Sequence, residues 1–73
     1  MAIASVSTIT SASPHGWQEA AELGLARAKQ TLRGITGMKV IEEKARVEEG
    51  EIVEYLVTLQ VIFLLDEDDG EGA

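Results

Sequence analysis

The sequence has no cysteine, which excludes disulfides and thiolate metal centres. Its one histidine, His15, is too little for a conventional zinc site within a single chain. Cations are scarce as well. Six Lys and Arg stand against thirteen Asp and Glu, a formal net charge of −7, and that balance repels nucleic-acid phosphates and anionic lipid headgroups. No apolar run approaches the ~20 residues that span a bilayer, and Met1 to Ser13 lacks the basic start and long apolar stretch of a secretory leader. The expectation is a cytoplasmic protein with neither nucleic acid nor membrane as a partner.

These absences leave a stability problem. With 73 residues the chain holds one thin core, and ordering each residue costs roughly 1.5 kcal/mol. Chains of this size usually need disulfides, a metal or partner subunits, and of these partner subunits remain. The sequence reads as one domain over residues 1–65, followed by an acidic, glycine-rich tail over 66–73 that composition marks as solvated.

Residues 3–10 (IASVSTIT) are rich in β-branched side chains and read as a first strand. Ser13-Pro14 then reads as a helix start, because a serine can cap an orphan amide and a proline at the first helical position has none to lose. Trp17, Ala20, Ala21, Gly24, Ala28, Thr31 and Leu32 recur at three- and four-residue spacing, which predicts an amphipathic helix over about 14–33. Arg33 suits its C-terminal dipole and Gly34 can take the left-handed conformation that ends it. The stripe is built of small residues, so it predicts close packing. Leu23 and Leu25 fall off the stripe and are candidates for contact with another copy.

A second strand is predicted over 38–47 (MKVIEEKARV), then a turn around Glu48-Glu49-Gly50. The third strand, 52–65, is apolar at Val53, Tyr55, Val57, Leu59, Val61, Phe63 and Leu65, as one deeply buried face requires. Its other face also carries Ile52, Leu56, Ile62 and Leu64. Fourteen strand residues span roughly 45 Å and a helix of about twenty residues roughly 30 Å, so one helix cannot cover even one face fully. Leaving the second face wet would forfeit about 1.5–3 kcal/mol per large side chain, so other copies of the chain are expected to bury it.

Sequence motifs for chemistry are missing. There is no phosphate loop, nucleophile elbow or paired acid and base, so the chain is not expected to be an enzyme. Asp66, Asp68 and Gly70 hint at a calcium loop, but an EF-hand needs glycine at its sixth position and glutamate at its twelfth. His15 reads as a surface histidine. Trp17 reads as a core or interface residue. Lys44 and Arg46, alternating with Glu42 and Glu48, suit ion pairs between strands or subunits.

The order strand, Thr10-Ser11-Ala12-Ser13 turn, Ala-rich helix with Ala26-Arg27-Ala28-Lys29-Gln30-Thr31-Leu32, strand, acidic turn and long strand through Tyr55 to Phe63 resembles the dodecins over nearly the whole chain. The resemblance implies an α+β protomer of βαββ order, a three-stranded antiparallel sheet packed on one helix, and a hollow homododecamer. It further implies a non-catalytic binding or storage protein that sequesters a small ligand. Flavin-binding dodecins stack the ring (FMN, FAD or riboflavin) on a tryptophan opening the second strand and hold its polar edge with a glutamine in the third. Those positions fall here on Gly37 and Leu56, and the Arg-Gly of the second strand in bacterial members is matched only by Lys44-Ala45. A ligand site mapped in this way comprises Gly37, Met38 and Leu56, with Met38 supplying adaptable apolar surface. The alternative is a structural or cation-binding assembly in which Glu42, Glu43, Glu48, Glu49 and Glu51 hold calcium or magnesium through oxygen ligands.

Overall fold

A computed structural model describes residues 2–66. Met1 and residues 67–73 lie outside it, and with them all of the expected acidic tail but Asp66. The elements are β1 (Ala2–Ser13), α1 (Trp17–Thr31), β2 (Ile35–Glu48) and β3 (Glu51–Asp66). They form one antiparallel sheet in the order β1-β3-β2, with the longest and most apolar strand in the middle. This is the α+β, βαββ architecture expected.

The strands run further than their apolar patterning suggests. β1 continues past Thr10 because Ser11, Ala12 and Ser13 keep pairing with Val57, Leu56 and Tyr55. Ser13 is therefore the last strand residue and does not cap the helix. Gly16 occupies the cap position with no side-chain hydrogen bond, and α1 spans 15 residues, shorter at both ends than 14–33. The serine hydroxyl is used one turn earlier: it accepts the His15 amide at 3.0 Å and donates to Glu19 Oε2 at 2.7 Å. Gly34 is left-handed, φ 71°, as expected, but it turns the chain into β2 and does not abut the helix. Its carbonyl accepts the Leu64 amide at 3.0 Å, joining the start of β2 to the end of β3.

β2 and β3 are joined by the two-residue turn Glu49-Gly50, both at positive φ (52° and 79°). That is the turn twist a tight hairpin needs, with glycine at one of its two left-handed positions.

Alternation assigns each face. Ile9, Ser11 and Ser13 of β1 lie opposite Leu59, Val57 and Tyr55 of β3, on the face that α1 covers. Ala20, Ala28, Val57, Leu59 and Val61 are buried there. The helix approaches closely because of Gly24. A Cβ at that position would lie 2.8 Å from Ser11 Oγ and 2.9 Å from Leu59 Cδ1, so the small-residue stripe is a packing requirement. Ser11 Oγ in turn donates to the Ala20 carbonyl. Trp17 pins the helix start across the sheet: its indole N–H donates to the Lys44 carbonyl at 2.9 Å, and its ring meets Tyr55 edge-on at 4.9 Å.

Fifteen helical residues give roughly 22 Å, against roughly 53 Å for the sixteen residues of β3. Apolar side chains beyond the helix stay exposed on both faces, among them Val47, Ile52, Leu64 and Leu65.

The candidate ligand face

The sheet face turned away from α1 has no covering element among the described residues. Cross-strand pairs divide it into rows. At one end Ala4 lies opposite Leu64, and next Val6, Ile62 and Gly37 form an aliphatic row across all three strands. The row after is Thr8, Gln60 and Lys39, then Thr10, Thr58 and Glu42, then Ala12, Leu56 and Lys44. The far end carries Arg46 opposite Glu54 and Val47 opposite Ile52. The face is aliphatic at one end, polar through the middle, and ionic then apolar at the other.

Three irregularities in the β2–β3 pairing, at Ile35/Gly37, Val40/Glu42 and Arg46/Val47, keep this face from being flat. An extra residue in one strand bends it and sharpens the local twist. The first bulge sets Gly37 opposite Ile62. A Cβ at Gly37 would meet only Ile62, at 3.5 Å from Cδ1 and 4.0 Å from Cβ. Gly37 therefore leaves a shallow recess in the aliphatic row with Ile62 as its wall.

Of the mapped site residues, Gly37 and Leu56 share this face, but Leu56 lies six residues along β3 from Ile62, the partner of Gly37, roughly 20 Å away. Met38 lies opposite Val61, so it is on the helix-bearing face, where it stays exposed. A single protomer does not bring the three together. Neither Gly37 nor Leu56 fits a flavin, since a glycine offers no aromatic face and a leucine no hydrogen bond.

Three cations project from the face. Lys44 pairs with Glu42 at 3.7 Å, and Arg46 with Glu54 at 3.0 Å and with Glu48. These carboxylates raise the Arg46 pKa above its ordinary value, Glu54 contributing most. Lys39 has no carboxylate within salt-bridge distance among the described residues. Sequence reading passed over Lys39, although its two-residue spacing from Gly37 puts both on one face.

The five candidate cation ligands separate. Glu43 lies opposite Val57 on the helix side and Glu42 is paired with Lys44. Glu48, Glu49 and Glu51 line an open hollow of about 680 Å³ at the hairpin tip, where Arg46 neutralises Glu48. Among the described residues, no three acidic or histidine side chains converge as a metal site would require. His15 is exposed at the helix start, its Nδ1 2.8 Å from Glu19 Oε2. The hydrogen bonds from His15 and then Ser13 hold the Glu19 carboxyl below its ordinary pKa of 4.5.

The sequence model of the family Dodecin matches residues 3–66. The chain belongs to the dodecin family. Solved dodecins share its fold along nearly their whole length. The dodecin from Streptomyces davaonensis is 35% identical, with 90% of this chain and 97% of that one covered and a TM-score of 0.84. A Thermus thermophilus protein is 31% identical over 92% of this chain and 98% of its own, at 0.86. The calcium dodecin of Mycobacterium tuberculosis, described as calcium-chelating with a novel calcium-binding site, is 29% identical over 92% and 96%, at 0.76. Among curated proteins none matches the chain. No described helix of this dodecin is long and apolar enough to cross a membrane.

Proposed function

We propose that this dodecin is the protomer of a closed homo-oligomer, a dodecamer, that binds and stores a small molecule without transforming it. The observation that carries the reading is the outer sheet face, where Val6, Val47, Ile52 and Leu64 are exposed beside half-buried Ile62 with no element among the described residues to cover them. Burial of such a surface by further copies is the cheapest remedy, and the recess at Gly37 gives a small ligand a place within it. A hollow shell that only holds its ligand needs no catalytic group.

Native mass spectrometry of the purified protein tests this. The expected result is one closed oligomer carrying a non-covalent small molecule. A monomer, or an assembly without a bound molecule that takes up none, would overturn it. Gly37 and Leu56 bear on the cargo: added riboflavin should stay fluorescent with the native chain and be quenched by the double variant Gly37→Trp, Leu56→Gln.

The second reading is a cation-dependent assembly. It is favoured by the hollow between Glu48, Glu49 and Glu51 and by the calcium dodecin among the similar structures. Closing a shell multiplies a charge of −7 by its copy number, a repulsion that divalent cations relieve. A melting temperature that rises with calcium or magnesium and falls with chelator supports it, and one unmoved by either removes it.

A further inference from the structure

We infer that the ligand this face suits is an amphiphile with an anionic head and an aliphatic tail, a medium-chain carboxylate, seated with its head at Lys39 and its tail over Gly37. The inference rests on the reading of the protein as a small-ligand binder and names the ligand class.

Three observations carry it. First, the aliphatic end is continuous: Gly37, Ile62 and Val6 form one row, and Leu64 and Ala4 the next. Val6 and Leu64 are exposed, and the recess at Gly37 leaves Ile62 Cδ1 accessible from the position of the missing Cβ. Such a surface takes alkyl chain and has no ring to stack on.

Second, the polar row begins at once beside the recess. Lys39, Gln60 and Thr8 lie in register across the three strands. They bring an ammonium, an amide and a hydroxyl to the end of the aliphatic strip, a donor set for a carboxylate. Third, the charges on this face are not equivalent. Lys44 and Arg46 are already matched by Glu42, Glu48 and Glu54, whereas Lys39 has no such partner among the described residues. In a chain of net charge −7, a cation without a carboxylate beside an aliphatic recess is charge complementarity for an anionic head. From the Gln60 row to the Leu64 row is roughly 13 Å, a distance suited to a medium-length chain.

Isothermal titration of the intact assembly with decanoate, decanol and decyltrimethylammonium tests the assignment, with riboflavin in parallel. Decanoate should bind saturably, at least tenfold tighter than decanol, and the cationic amphiphile should not compete. Lys39→Gln should weaken decanoate at least tenfold and leave decanol unchanged. Gly37→Leu, which fills the recess, should weaken both. Sole-tryptophan fluorescence from Trp17 and the mass of the assembly check that each variant stays folded. Equal binding of all three amphiphiles, or decanoate binding that ignores Lys39→Gln, would overturn the assignment. An assembly that carries another small molecule but no decanoate would refute the carboxylate and leave the binding function standing. An assembly that binds nothing would refute both.

Discussion

The two faces of β3 are made of much the same residue types and meet opposite fates. Val57, Leu59 and Val61 are almost wholly buried under α1, while Ile52, Leu56, Ile62 and Leu64, on the other side of the same strand, are covered by no element among the described residues. Composition does not separate them. What separates them is the helix, whose Ala20, Gly24 and Ala28 can approach only one face, so the first face is the protomer's core and the second is left for ligand or for further copies.

The largest effects should break that contrast directly. Leu59→Ala removes a fully buried side chain from beneath Gly24 and is expected to cost about 2–5 kcal/mol, read by chemical denaturation. Ile52→Glu, on the half-exposed outer side, should leave the helical signal intact and lower the assembled fraction on size exclusion. If Ile52→Glu unfolds the chain as Leu59→Ala does, the faces are not separate in function. Gly24→Ala comes next. Its new methyl would press on Ser11 Oγ and Leu59 Cδ1 at under 3 Å, an overpacking cost of about 1–3 kcal/mol, although alanine is the better helix former. A stabilised Gly24→Ala variant would show that the helix can lift away from the sheet.

How far this was legible in the sequence follows from the same contrast. The alternation Val53 to Leu65 and the stripe Ala20, Gly24, Ala28 report burial, so the core face, the element order and the uncovered second face could all be read. The ends could not. Ser11 to Ser13 carry turn-forming side chains, yet they are strand because β3 offers ladder partners as far as Tyr55, and ladder partners are a tertiary fact. Bulges were invisible for the same reason, and without the one between Ile35 and Gly37 the row of Gly37, Ile62 and Val6 could not be drawn. Resemblance placed Gly37, Met38 and Leu56 together, whereas within one protomer Met38 is on the other face. Lys39 was missed because a lone lysine says nothing until the strand register sets it beside Gly37, with Glu42 turned to Lys44.

A smaller effect tests the junction between the faces. Glu19 accepts from Ser13 and contacts His15, and these bonds lower its pKa on folding. A carboxyl whose pKa falls on folding adds stability above its unfolded value, and that stability is lost as pH drops through the folded value. Melting temperature should therefore fall on acidification below about pH 4.5, and Glu19→Gln should flatten part of that limb. Since Glu19 is solvent-exposed, the difference should be slight, and identical acid limbs would mean that the Ser13–Glu19 bond contributes nothing to stability.

The smallest change lies at the tip of the hairpin, where both faces end. Glu49 is the only non-glycine residue at positive φ among the described residues, with Gly50 after it. Left-handed backbone costs a side chain such as glutamate about 1 kcal/mol, and asparagine tolerates it better. Glu49→Asn should thus raise stability by about 0.5–1 kcal/mol while removing one carboxylate from the hollow with Glu48 and Glu51. The two consequences pull apart under calcium. If the cations bind there, the variant should be more stable than the native chain in chelator and gain less on adding calcium. If they do not, its advantage should be the same in both, and the tip is a turn and nothing more.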